Sequence, residues 1–366
     1  MRNNNINSSK RKIITAFIFI LFIFIFLTHL HAAKIQCVWT GIKKIIAVGD
    51  IHGAYEAFVK ILKINKLIDE ELHWIGGKTH LVQTGDILDR GPDAKKVFDM
   101  LMRLEKEAEE AGGKVHVLLG NHEEMNITGI AFDYVGYVTS DQFTSFLPDK
   151  YREKKEKEFR KTIAEKALNQ TDPDLSSDNN LRPYWEELIR KDKGARKIYI
   201  NNFNDNYGKW LLKKNAVIKI NDVIFAHGGI SKKFSTWKLE DINDMLRTEL
   251  TYWRRAIKSS QPSRMPFELR IVYKSDGPLW YRDLALMDDG FKEEVDKILQ
   301  NLGAKYMVIA HTPRVGSRII SEEYWSRFQG RIWIIDTGIS DSLSGFLSAL
   351  IIDNGKLTLW GEVDEK

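Results

Sequence analysis

Early in the chain one unit occurs three times: a short apolar run, then glycine, then an acidic or amide residue, then a helical pattern. Lys44-Ile45-Ile46-Ala47-Val48 ends at Gly49-Asp50, Leu81-Val82 leads into Gly85-Asp86, and the run from Lys114 to Leu119 ends at Gly120-Asn121. Runs of this length and β-branched character fit buried strands. Tyr55, Phe58, Val59, Leu62 and Leu67 fall near helical spacing after the first. A second helix is expected from about Asp93 to Ala111, closed by Gly112-Gly113 as a left-handed cap. Strand–loop–helix units in series imply right-handed crossovers and parallel pairing. Each polar loop is thereby delivered to the carboxyl edge of a sheet, where open α/β folds carry their chemistry.

The second half reads as a hairpin, Ala216 to Ile220 and Val223 to Ala226, running into His227-Gly228-Gly229. A helix around Leu239 to Ile257 follows, then strands ending at His311 and at Asp336, then a hairpin turning at Asn354-Gly355, a type I′ signal. Two packed sheets with helices outside are expected. Residues 140–213 change character: the dense mixed charge from Lys150 to Lys157 reads as a solvated helix face, and the segment as a mainly helical insertion near the site mouth.

The leader sets the expected location. Lys10-Arg11-Lys12 precedes an apolar run from Ile13 to Leu27, and Ala32-Ala33 follow. This predicts a secretory signal peptide over residues 1–33 or, if retained, a membrane anchor, with the catalytic domain at 41–366 outside the cytosol. The formal charge of +5 owes four positives to that leader, so the rest is nearly balanced and shows no nucleic-acid footprint. Cys37, the single cysteine, excludes an intrachain disulfide. Asn126-Ile127-Thr128 and Asn169-Gln170-Thr171 match the N-glycosylation pattern and are expected as chance occurrences.

Five strand-end segments carry metal-type ligands: Asp50-Ile51-His52-Gly53, Asp86, Asn121-His122-Glu123, His227 and His311. Singly, a histidine at a strand end is an ordinary hydrogen-bonded loop residue. Five such segments, each closing an apolar run, are not an ordinary coincidence. Imidazole with carboxylate suits Mn, Fe or Zn, and one aspartate between two ions would make a clamp for displacement at phosphorus.

These segments, with Asp89-Arg90-Gly91, Ala226-His227-Gly228-Gly229 and Ala310-His311-Thr312-Pro313, resemble the signatures of the phosphoprotein phosphatase family of calcineurin-like metallophosphoesterases. The resemblance runs in the family's order from about Lys44 to Asp353. It implies a four-layered αββα sandwich and a site with two divalent or trivalent metal ions. Asp50, His52 and Asp86 would hold the first ion; Asp86, Asn121, His227 and His311 would hold the second. It implies attack on phosphorus by water activated between the ions, with His122, oriented by Asp89, protonating the leaving oxygen. Arg90, Asn121 and Arg282 would contact phosphate. Leu119 before Gly120-Asn121-His122-Glu123, and Gly277-Pro278-Leu279-Trp280-Tyr281-Arg282, look most like the Shewanella-like branch. The expected activity is hydrolysis of phosphomonoesters, in phosphorylated protein or in small molecules. The competing readings are a dinucleoside polyphosphate or nucleotide hydrolase and, remotely, a non-catalytic binding module.

Overall fold

The apolar runs that end in glycine are strands of one sheet in the computed structural model, which describes residues 35–167, 181–259, 270–314, 321–340 and 345–362. The strands are β1 (Val38–Trp39), β2 (Lys44–Val48), β3 (His80–Gln83), β4 (Lys114–Val117), β5 (Val217–Ile220) and β6 (Val223–Ala226). They continue with β7 (Tyr306–Ile309), β8 (Ser326–Arg327), β9 (Ile332–Ile334), β10 (Leu347–Asp353) and β11 (Lys356–Glu362). One sheet has the order β11-β10-β2-β3-β4, the other β1-β5-β6-β7-β9-β8.

Both sheets are mixed. β2, β3 and β4 pair in parallel, and β10 closes them antiparallel to β2. In the second sheet β6, β7 and β9 are parallel, with β5 antiparallel to β6. The parallel strands are largely buried because they are covered on both faces, with His80, Gln83 and His116 among the buried polar side chains. Ile45, Ile46, Val48 and Leu81 are essentially inaccessible, and each such side chain contributes about 1.5–3 kcal/mol of burial free energy. Helix Tyr55–Ile64 turns Phe58, Ile61 and Leu62 inward and meets β10. Helix Ala94–Glu110 turns in Val97, Phe98, Leu101 and Leu104 and lies on β4. Helix Leu239–Ser259 meets β5 of the second sheet. This is the expected αββα arrangement.

Smaller features follow local chemistry. Asn354 and Gly355 both have positive φ, +46° and +82°, as a type I′ turn between β10 and β11 requires. Between Ser140 and Leu211 the described residues are largely helical, in Ser140–Ser145, Asp149–Ala167, Leu181–Lys191 and Lys193–Phe203. Phe146 and Phe203 from this segment each sit 6.2 Å from Phe98, edge to face, which fastens it to the first sheet's helix. The described residues from Cys37 onward form one compact unit. The leader, residues 1–33, and Asn169 lie outside the described residues. Among the described residues no helix is long and apolar enough to cross a membrane.

Candidate metal and active site

The carboxyl ends of the parallel strands of both sheets meet. β2 delivers Asp50 and His52, β3 delivers Asp86 to Arg90, and β4 leads to Asn121 at the start of helix Asn121–Thr128. From the second sheet, β6 delivers His227, β7 His311 and β9 Asp336. The loops are tight: Asp86, Asp89 and Arg90 adopt φ of +56°, +70° and +68°, and His52 and His311 are also left-handed. Non-glycine residues rarely take this conformation and concentrate where a site over-determines them. Glycine is required where backbones touch. A Cβ on Gly85, φ +99°, would lie 2.5 Å from the Gly120 nitrogen, and one on Gly120 would lie 2.3 Å from Asp86 Oδ1.

Glu123 sews these loops together. One of its carboxylate oxygens accepts the N–H groups of Asp86 and Gly120 at 2.8 and 2.9 Å, and the other accepts that of Ile87 at 2.8 Å. His52 and Gly53 donate their N–H groups to the carbonyls of Asp86 and Ile87. All three motifs are thus tied to one another by hydrogen bonds within the chain.

Two side-chain groups here could hold a cation: His52, Asp86 and His122, and Asp86, His227 and His311. Asp86 belongs to both. All are buried. His52 directs Nδ1 to the Leu88 carbonyl at 2.8 Å, and His227 directs Nδ1 to the Thr84 carbonyl at 2.9 Å. Each therefore carries its hydrogen on Nδ1 and turns Nε2 inward, the tautomer that metal-binding histidines favour. Inward, His227 Nε2 lies 3.3 Å from Asp86 Oδ2 and 2.9 Å from Asn121 Oδ1. Asn121 Nδ2 points to the Met125 sulfur, which leaves its oxygen facing the cluster.

The donor set fits a cation on two further observations. His311 Nε2 is buried without any hydrogen-bond partner, and a native orphan of this kind demands an explanation. Burial and neighbouring positive groups push the pKa of His52 down to about 3 and that of His311 to about 2, so both are neutral at physiological pH, as a metal-binding imidazole must be. Carboxylates crowd as well. Burial, then Asp336 and Asp86, raise Asp50 well above the carboxylate range, and Asp50 shares a hydrogen bond with Asp336. Asp86 is instead held low: burial opposes its charge, but His227, His122 and His52 outweigh it. Asp50 stands outside both groups, with Oδ1 3.6 Å from His227 Nδ1.

Beside the cluster, His122 Nδ1 meets Asp89 Oδ2 at 2.6 Å and its Nε2 lies 3.8 Å from Asp86 Oδ2. Burial disfavours an imidazolium there, but the two carboxylates prevail and raise its pKa. Arg90 lies over the Tyr137 ring at 5.1 Å, and its buried Nε has no partner. Tyr137 also packs 4.8 Å from the His122 ring. Arg282 reaches the site's edge, donating from Nη1 to the His311 carbonyl and to Thr312 Oγ1 at 3.0 and 3.1 Å. Of the residues expected from the motifs, His52, Asp86, His122, His227 and His311 come together in the two groups, Asn121 and Asp89 bond to their members, and Asp50, Arg90 and Arg282 lie beside them, outside both. Tyr137, Asn126, Gln142, Tyr199 and Asp336 join them without having been anticipated. Of these, only Asp336, a polar residue closing an apolar run, carried a sequence signal.

A cluster of histidines and aspartates at converging strand ends, between two mixed sheets, defines a metallophosphoesterase. The calcineurin-like phosphoesterase family matches residues 43–315, and the chain belongs to that family. Its relatives within the family include Shewanella-like protein phosphatases. Shewanella-like protein phosphatase 1 of Plasmodium berghei is 29% identical over 306 residues, 82% of this chain and 68% of that protein. Shewanella-like protein phosphatase 2 of Arabidopsis thaliana is 33% identical over 205 residues, 56% of this chain and 51% of that protein. A solved cold-active protein tyrosine phosphatase superposes with a TM-score of 0.61 at 26% identity, covering 89% of this chain and 80% of that one. The chain is accordingly a metal-dependent phosphoester hydrolase.

Proposed function

We propose that this protein is a phosphatase with two metal ions that hydrolyses phosphomonoesters in phosphorylated protein, on serine, threonine or tyrosine. The observation that carries this is Asp86, one carboxylate common to two buried histidine groups. Similarity to enzymes called protein phosphatases supports the substrate class. Asp50, His52 and Asp86 hold the first ion in this reading, and Asp86, Asn121, His227 and His311 the second. Bound there, Mn, Fe or Zn would activate water and offset charge on the phosphoryl oxygens.

The chain's own residues do the rest. Arg90 offers a planar fork of donors whose Nε is free, and with Asn121 and Arg282 it orients the phosphoryl group. His122 presents Nε2 to the cluster while Asp89 holds its Nδ1 hydrogen, so it can deliver a proton to the leaving oxygen. Residues 140–213 form a helical insertion of the 41–366 catalytic domain. The leader supports an enzyme exported from the cytosol or tethered to a membrane, which cell fractionation of the full chain reads out.

The test is a substrate panel with Mn, Fe or Zn added and bound metal measured. Phosphopeptides and p-nitrophenyl phosphate should release inorganic phosphate, with two metal ions per chain. Preferential cleavage of diadenosine tetraphosphate would overturn the substrate class, and no turnover of any phosphoester with any metal would overturn the activity.

A further inference from the structure

Asp89 is held more completely than orienting one imidazole requires. Besides His122, both its oxygens lie 3.0 Å from Asn126 Nδ2, and Oδ1 accepts from Gln142 Nε2 at 2.8 Å. Gln142 answers by accepting the Asp89 backbone N–H on Oε1 at 2.6 Å. Behind them the Tyr199 hydroxyl donates to Asn126 Oδ1 at 2.8 Å and accepts from Gln142 Nε2 at 3.0 Å. Asp89, Asn126, Gln142 and Tyr199 are all fully inaccessible to solvent.

The distances order these bonds. With Gln142 Oε1 taken by a backbone N–H, its amide nitrogen gives its two hydrogens to the nearer acceptors, Asp89 Oδ1 and the tyrosine oxygen, with Asn126 Oδ1 farther at 3.3 Å. The single Tyr199 hydrogen then goes to Asn126 Oδ1, so Asn126 Nδ2 turns its hydrogens to Asp89 and to the His122 carbonyl, 2.9 Å away. Asp89 is left only to accept, and His122 must keep its hydrogen on Nδ1. Two amides and a phenol buried for packing alone would be a poor choice, because apolar residues of similar volume avoid the desolvation cost. Gln142 and Tyr199 both come from the helical segment, 53 and 110 residues beyond Asp89 in the chain.

We propose that Gln142, Tyr199 and Asn126 are positioning residues for leaving-group protonation. They fix Asp89 and, through it, aim His122 Nε2, so the helical segment helps set how basic a leaving group the enzyme can expel. The proposal rests on the role of His122 given above.

Phenyl phosphate and p-nitrophenyl phosphate have similar shapes, but phenolate needs a proton on leaving and p-nitrophenolate scarcely does. In the full-length, metal-loaded enzyme, Tyr199→Phe and Gln142→Leu should lower kcat on phenyl phosphate by about 10- and 100-fold. On p-nitrophenyl phosphate each should lose less than about threefold, the difference being the share of the rate that general-acid help supplies. KM and bound metal should not change. His122→Asn, run alongside, should show the same bias more strongly. Equal losses on both substrates in Tyr199→Phe and Gln142→Leu, with the bias kept in His122→Asn, would overturn the positioning role alone. No bias in His122→Asn would remove the acid role itself. Should Gln142→Leu fail to fold, Tyr199→Phe, which deletes a single oxygen, decides.

Discussion

At one end of the catalytic cluster Asp89 receives three side-chain donors and His122 is locked against it. At the other end His311, beside Asp86 and His227, has a buried Nε2 without a hydrogen-bond partner; Arg90, which packs on Tyr137 next to His122, has an Nε likewise without one. Both ends are buried, both sit at strand termini, and both carry histidine. The saturated end is fixed by the chain itself. The bare end presents atoms whose partners must come from outside, which is the expectation for groups that meet a cation or a phosphate. Unpartnered atoms thus mark two of the residues proposed to bind, His311 and Arg90, whereas His52, His227 and Asp86, also assigned to metal, already have partners within the protein.

The sharpest way to break that contrast is Asp86→Ala, which removes the carboxylate common to both groups. Turnover should fall by at least about a thousandfold, the scale of losing a preorganised electrostatic centre, and bound metal, measured by atomic emission, should fall with it. Full metal in the variant would end the assignment. A smaller effect is expected at Arg90. Arg90→Lys keeps the charge but loses the fork, so KM should rise about tenfold with metal content unchanged; an unaltered KM would mean that the bare Nε is not held for substrate.

The smallest effect tests an unsatisfied atom away from the cluster. Glu124 Oε2 is also buried without a partner, and burial pushes this carboxyl from 4.5 up to about 8. Burial here favours the protonated, uncharged carboxyl. The folded state keeps that proton while the unfolded chain releases it, so stability is fullest below about pH 4.5 and declines as pH rises toward about 8. Glu124→Gln should flatten this decline in thermal scans between those limits. An unchanged slope would show that Glu124 is ionised and its bare oxygen belongs with those of the cluster.

Much of this was legible in the chain. β2, β3, β4, β6 and β7 are apolar runs stopped by glycine or by a polar strand end, and the residues just beyond them are the ones that converge. The two-residue strands β1 and β8 were not foreseen, because Val38–Trp39 and Ser326–Arg327 are too short to show a period. Gln142 and Tyr199 were hidden for a different reason. Charge from Lys150 to Lys157 dominates the composition of that region, and one inward polar residue on a short helix looks like any solvated one. Asn126 drew notice only through a glycosylation pattern, yet its side chain is fully buried against Asp89. Such residues are defined by partners many positions away, which local pattern cannot register.

Glu123 and its three backbone donors have a further consequence. The Gly85–Gly91 loop takes its shape from bonds within the polypeptide: Glu123 grips one side, and Arg90 donates its N–H to the Tyr137 carbonyl at 2.8 Å on the other. Its architecture is therefore not built around any particular ion. In the proposed site one cation would replace another without the loop being rebuilt, the preference following the affinity order of imidazole and carboxylate ligands.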